Sequence, residues 1–298
     1  MEELRRPGRN APCPCGSRRT YARCCLGRDD AFEAVRAERA AFVEWMERSL
    51  FMEDVARAVA DAWLRFWPGP PPVSWERAAT ALGGRETGSE PWDVAGFAQW
   101  VTHDAPLEGL APDLPLRRAP DQPADGPATL PDVIAGMLDP QAAGAERSAL
   151  QLLSAWRSSV SGLFRATSVL EGYRVDLDAL CGTGSFVVLD ASLARRVASG
   201  AAVVAVRLRP VDGRYEAVGV CHGYPAAETE ALRVFATREL AALRGSRPQA
   251  GWSDLWRWRG ECLHHYAVRR RVVTGGAVAD GQERGRAVAP SAESDGSR

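Results

Sequence analysis

Four of the seven cysteines fall between Cys13 and Cys25. They form a Cys-x-Cys pair, a gap of eight residues and a Cys-Cys pair. Such a cluster serves either disulfides or a metal ion. Disulfide frameworks belong to small secreted domains. Here Met1–Arg9 is charged, no apolar signal segment follows, and Cys181, Cys221 and Cys262 are scattered. That pattern suits a reduced, cytoplasmic chain whose thiolates hold a metal. Soft thiolates at a tetrahedral centre select zinc, at about 2.3 Å. Free or redox-active cysteines are the alternative.

Four thiolates on one Zn2+ carry a net charge of about −2. Arg5, Arg6, Arg9, Arg18, Arg19 and Arg23 lie nearby in sequence to offset it. Gly16 lets the backbone fold back, and Tyr21 is expected as an apolar lid. So small a segment has almost no core, so metal binding should supply most of its folding free energy. Gly8 to Ser17, then Tyr21, then Cys24-Cys25, resemble the SEC-C motif, named for the C-terminal tail of the translocase ATPase SecA. The resemblance implies that Cys13, Cys15, Cys24 and Cys25 are zinc ligands. With four protein ligands the single Zn2+ would be structural, leaving no open position for a catalytic water. Arg18 departs from the family's usual glycine, and the turn after Ser17 should be stiffer for it. The motif covers under a tenth of the chain and names a module, not a whole-protein activity.

The elements around this knuckle follow from periodicity. Asp29 or Asp30 can cap a helix, and apolar stripes from Phe32 to Trp45 and Met52 to Phe66 give two helices, or one bent helix, over about 30–67. Their large aromatics are expected in the core. Pro68 to Pro72 stops the second stripe. Val94, Phe97 and Val101 share a helix face, and His103 to Pro131 reads as a Pro-rich mobile insertion. Helices are expected from Thr129 or Pro131 to Met137 and over 145–163. The pattern then turns to strands: 164–170, 173–180, 185–190, 202–208 and 215–221, with turns at Gly182-Thr183-Gly184 and Asp212-Gly213. Five short strands suggest a small antiparallel unit, a barrel or a rolled sheet. Helices follow over 226–244 and from Ser253 to Arg271. Residues 201–213, with Trp156 and its helix, resemble the C-terminal half of bacterial SEC-C-containing proteins that have a helical body and then a β unit.

The expected organisation is therefore α+β. It comprises a zinc knuckle (1–27), a mainly helical body (28–163) with the insertion at about 103–131, and a β unit (164–225). C-terminal helices (226–272) and a disordered tail (273–298) complete it.

Other residues that could do chemistry have simpler roles open to them. Cys181-Gly-Thr-Gly184 lacks the rest of a nucleotide fingerprint. Cys221 and His222 are adjacent on a strand and point to opposite faces, which disfavours a nucleophile–base pair. Cys262 and His265 are one helical turn apart, too few for a metal site. Asp176, Asp178 and Asp190 are expected on a solvated face, and His103 at the surface.

The chain has a net charge of −1 and contains no lysine. Schiff-base and P-loop lysine chemistry are thereby excluded, and sequence-specific DNA binding is not expected. No apolar run approaches the roughly 20 residues of a membrane span. The basic knuckle remains. Arg9, Arg18, Arg19, Tyr21 and Arg23 are the expected contact set for rRNA phosphates, an acidic chaperone face or acidic lipid. Resemblance to the SecA tail implies docking on a protein partner, chaperone- or translocation-like, or on the ribosome. The chain is thus expected to be a zinc-binding interaction or adaptor protein. The alternative is an enzyme in the helical and β body, with the knuckle as a targeting appendage.

Overall fold

The computed structural model describes residues 4–34, 60, 62–64, 66, 67, 74, 77, 78, 91–105, 129–137, 153, 154 and 156–273. Residues 26–34 are helical directly after Cys25. Helices α1 (Pro91–His103) and α2 (Leu130–Met137) follow. Most of the helices expected over 30–67, the interior of the insertion and the tail from 274 lie outside the described residues. Trp63 and Phe66 are described. Both are fully buried and pack edge-on against Phe97 of α1 at 4.8 and 5.6 Å, which makes them core.

The chain then forms a mixed five-stranded sheet: β1 (Val160–Leu170), β2 (Arg174–Ala179), β3 (Ser185–Leu189), β4 (Val203–Val211) and β5 (Arg214–Tyr224). Strands β1–β2, β2–β3, β1–β4 and β4–β5 pair antiparallel, whereas β3 and β5 pair parallel through Val188 and Tyr215. This corrects the all-antiparallel expectation. Helix α3 (Ala191–Ala198) and β4 intervene between β3 and β5, and a crossover of that kind is what parallel neighbours require.

β1 begins at Val160, where a helix had been expected to run on to residue 163. Ser159 ends that helix early, its amide and hydroxyl both turned to the Trp156 carbonyl at 3.1 and 2.7 Å. Leu163 and Phe164 then bury in two different apolar clusters, as a period of two demands. At the other end of the ladder, Asp212 and Gly213 have φ of 44° and 71°, the left-handed pair of a type I′ hairpin.

Apolar clusters among the described residues hold these layers. Phe164, Val175, Leu177, Val188, Val204, Val206 and Leu208 face one another and Leu193 and Ala194 of α3. A second cluster joins Leu163, Val203 and Tyr224 to α4 (Thr229–Ser246), α5 (Trp252–Trp258) and α6 (Glu261–Val273). The single helix expected from Ser253 is thus two. Gly251, with its amide bonded to Asp254 at 2.8 Å, starts the first helix in place of Ser253. Gly260 marks the break, where a Cβ would stand 2.8 Å from the Trp256 carbonyl. The third cluster belongs to the knuckle. Among the described residues no helix is long and apolar enough to cross a membrane.

Candidate metal centre

The knuckle is folded by its own backbone before side chains are considered. Pro12 and Thr20 form an antiparallel bridge, and the Cys13 amide bonds the Arg19 carbonyl at 2.8 Å. The loop between them turns through Gly16 at φ 78° and Arg18 at φ 62°. Gly16 turns its amide to the Cys13 carbonyl at 3.2 Å. Arg18 holds a left-handed backbone conformation that disfavours any Cβ. A single 3-10 turn, Tyr21–Arg23, then presents Cys24 and Cys25.

This fold gathers the four thiols expected from the spacing. The Sγ atoms of Cys13, Cys15, Cys24 and Cys25 all lie within 4.8 Å of one another. Cys15 is 3.4 Å from Cys13 and 3.4 Å from Cys24, and Cys24 is 3.9 Å from Cys25. Four sulfurs at about 2.3 Å from a tetrahedral ion would be about 3.8 Å apart. The donor set therefore fits one thiophilic ion with small adjustments. Cys13 and Cys25 are buried, Cys24 is half-buried and Cys15 is exposed. Burial pushes the Cys25 thiol up to about 12, while hydrogen bonding with Ser17, Cys13 and Cys24 brings Cys15 down to about 6. Metal binding would have to displace protons from this uneven set. Two outer donors help: Ser17 Oγ stands 3.1 Å from Cys24 Sγ, and Arg214 of β5 reaches Cys25 Sγ at 3.5 Å.

The site is clamped to the sheet. Asp29, fully buried, accepts the Tyr21 hydroxyl at 2.7 Å and the Tyr173 hydroxyl on the same oxygen. Its other oxygen is 3.9 Å from Arg214 Nε. The Tyr21 and Tyr173 rings meet edge to face at 6.2 Å. The Arg5 amide bonds the Gly172 carbonyl, and a Cβ on Gly172 would strike Arg5 at 2.9 Å. Leu4, Cys13, Tyr21, Cys25 and Phe32 share one apolar cluster with Tyr173, Leu189, Ala191 and Val211. Asp29 is therefore a buried acceptor and not a helix cap, because the helix starts before it, at residue 26.

Of the expected contact set, Arg9, Arg18, Arg19 and Arg23 are exposed and have no ion pair among the described residues. Tyr21 is corrected: it is 1% exposed, its ring and hydroxyl both turned inward. Arg6 differs from its neighbours in pairing with Asp30.

The other candidates lie elsewhere. Asp190 is buried and caps α3, taking the Leu193 amide at 2.8 Å, so it is not on a solvated face. Asp176 and Asp178 do face outward, bonded to Arg174 at 2.7 Å and Ser185 at 2.6 Å. Cys221 packs against the sheet's inner cluster, whereas His222 stands 3.3 Å from His264 of α6. Neither His222 nor Asp190 lines the cavity bounded by His103, Trp156 and Arg207. His103 is half-buried and not fully exposed as expected, and burial with the nearby Arg207 holds its pKa well below the usual value.

Tyr173 and Arg214, which complete the clamp, carry no local signal, since their role depends on contacts across most of the chain. Neither a curated protein nor a solved structure matches the chain. Residues 9–27 match the SEC-C motif. The loop, the four gathered thiols and this match together show that the chain carries a SEC-C motif, built as a site that could hold a metal ion.

Proposed function

We propose that the chain is a zinc-binding interaction protein whose knuckle docks on a protein partner or on the ribosome. The observation that carries the reading is the juxtaposition of a four-thiol site with four exposed arginines, Arg9, Arg18, Arg19 and Arg23, that have no ion pair among the described residues. Zinc suits the all-sulfur donor set. Bound by four protein thiolates, it serves as a structural ion. The cationic rim then supplies on-rate and phosphate or carboxylate contacts. Arg18 supports this use. A charged side chain stands where the backbone φ of 62° would suit glycine better.

The finer reading of the sheet is a small closed barrel, because each of the five strands pairs with two others and β4 returns to β1. It resembles five-stranded Greek-key barrels of the OB type, whose β1–β2 and β4–β5 turns hold oligonucleotides or oligosaccharides. Here the residues at those turns, Gly172, Tyr173, Val211 and Arg214, contact the knuckle. On this reading the barrel serves to present the knuckle.

The test is co-sedimentation with ribosomes, beside pull-down from lysate, of wild type and an Arg18→Glu/Arg19→Glu variant of equal zinc content. Loss of salt-sensitive binding in the variant is expected. Retention of binding by the variant, or binding unaffected by zinc chelation, would overturn the docking role.

A further inference from the structure

The four thiols of the knuckle differ in how they meet solvent. Cys13 and Cys25 are buried, in one apolar cluster with Tyr173, Leu189 and Val211. Arg214 of β5 reaches the Cys25 sulfur as well, at 3.5 Å. Both are therefore held on the side of the knuckle that faces the sheet. Cys15 is the one exposed thiol of the four, and Cys24 is half-buried. Their sulfurs stand 3.4 Å apart, and Ser17 Oγ donates to the Cys24 sulfur at 3.1 Å.

A sulfur that ligates a metal does so as the thiolate, the form that is also the nucleophile. An accessible thiolate with a second thiol at hand is what two-electron oxidants modify. Solvent reaches Cys15 first, so oxidation begins there. The choice of its partner is narrow. Cys24 and Cys25 cannot easily bridge each other. Their trans peptide sets the Cα atoms about 3.8 Å apart, closer than the roughly 4.4–6.8 Å of disulfides. Cys13 is also 3.4 Å from Cys15, but it is buried in the cluster that faces the sheet. Cys24 is the more exposed of the two neighbours.

We infer that Cys15 is an oxidative modification site for hydroperoxides, that Cys24 is its resolving thiol, and that their disulfide releases the metal; this rests on zinc at the four thiols and not on docking. In the first step the Cys15 sulfur attacks one oxygen of hydrogen peroxide. The O–O bond breaks, hydroxide leaves and takes a proton from solvent, and Cys15 becomes a sulfenic acid. The Cys24 sulfur then attacks the Cys15 sulfur. The S–O bond breaks, and a second hydroxide leaves and is protonated to water. The two sulfurs have lost two electrons and the peroxide has gained them. Zn2+ is left with two of its four thiolates and departs, while Cys13 and Cys25 stay reduced. A dithiol returns the two electrons and restores the site. The Asp29 clamp uses no thiol, so the knuckle stays on the sheet while its metal leaves.

The test treats the zinc-loaded full chain with hydrogen peroxide and reads zinc release with a chromogenic chelator. Remaining thiols are then blocked with iodoacetamide and the chain is cut with trypsin. Cleavage after Arg9, Arg18, Arg23 and Arg28 puts Cys13 and Cys15 on one peptide and Cys24 and Cys25 on another. One zinc should be released per peroxide consumed. Mass spectrometry should find the two peptides joined through Cys15 and Cys24, with Cys13 and Cys25 alkylated. Dithiothreitol followed by zinc should return the metal. Cys15→His leaves three thiolates and an imidazole, a set that also holds zinc, and should keep its metal at the same peroxide dose. Release from Cys15→His as fast as from wild type overturns the inference. So does a bridge confined to either peptide, or modification of the half-buried Cys181 ahead of Cys15. The mapping is made on wild type and decides the case whether or not Cys15→His loads metal. A wild-type chain that loads no zinc contradicts the proposed function before peroxide is added. One that loads zinc and keeps it under peroxide contradicts this inference alone.

Discussion

Asp29→Ala removes the buried carboxylate that joins Tyr21 of the knuckle to Tyr173 beside β2. The substitution leaves two tyrosine hydroxyls, on side chains each 1% exposed, without their carboxylate. It also takes from Arg214, 11% exposed, the carboxylate 3.9 Å from its Nε. A hydrogen bond to a charged group contributes about 1.5–3 kcal/mol. Removing one member of a buried ion pair costs about 3–5 kcal/mol. These losses share one carboxylate and do not add. The expected loss is therefore about 3–5 kcal/mol, a large part of the roughly 5–15 kcal/mol that holds a domain folded. Tryptophan fluorescence in urea, with zinc present, is a suitable assay. All ten tryptophans lie at or beyond Trp45, outside the knuckle, so the signal reports what the knuckle does to the rest of the chain. A lowered midpoint at an unchanged urea slope is expected. A loss under about 1 kcal/mol, typical of solvated pairs, would refute the reasoning. Tyr173→Phe is the milder companion and should lose about 1.5–3 kcal/mol, the contribution of its one hydrogen bond to the carboxylate.

Elemental analysis should find one zinc per wild-type chain and none in Cys13→Ser/Cys15→Ser. Cys24→Ser was expected from spacing alone to unfold only residues 10–26. With Cys13, Tyr21 and Cys25 in one cluster with Tyr173, Leu189 and Val211, it should also lower the tryptophan-monitored melting temperature. Arg18→Gly should stabilise the metal-loaded chain by about 1 kcal/mol in the same urea assay, because glycine adopts φ 62° without a Cβ clash. Burial raises the Glu261 carboxyl from 4.5 to about 7. A carboxyl raised in the folded state stabilises below its unfolded pKa, and that stability is lost as pH rises through the folded value. Glu261→Gln should therefore gain on wild type in melting temperature between about pH 5 and about pH 8.

What could be read from the chain divides by distance. The thiol site was legible because its ligands, turn and 3-10 segment are all local, within Cys13–Cys25. The strands were legible from their period of two, to within a few residues at most ends. The early start of β1 was not, because Ser159 ends the helix through hydrogen bonds that periodicity does not register. The parallel β3–β5 pair depends on which strands meet after a crossover, which no local pattern encodes. Three polar side chains were read as solvated or as caps and are buried: Asp29, Asp190 and, in part, His103. Each bonds a group that its own neighbours in sequence do not reveal, or sits beneath an element contributed from elsewhere.

The clamp also sets an order of events during synthesis. Asp29 and Tyr173 are 144 residues apart. A ribosome adding about 5–20 residues per second makes Tyr173 about 7–30 s after Asp29. Through that interval the nascent N-terminus has neither Tyr173 nor Arg214 to hold it. Its own short hydrogen bonds and any ion captured by the four thiols are all that can keep it ordered. A knuckle that loads early arrives as a preformed plug, onto which the later strands can close. One that loads late must find its metal after the sheet has already confined Cys13 and Cys25. The timing of metal supply relative to translation is thereby built into the distance between two residues.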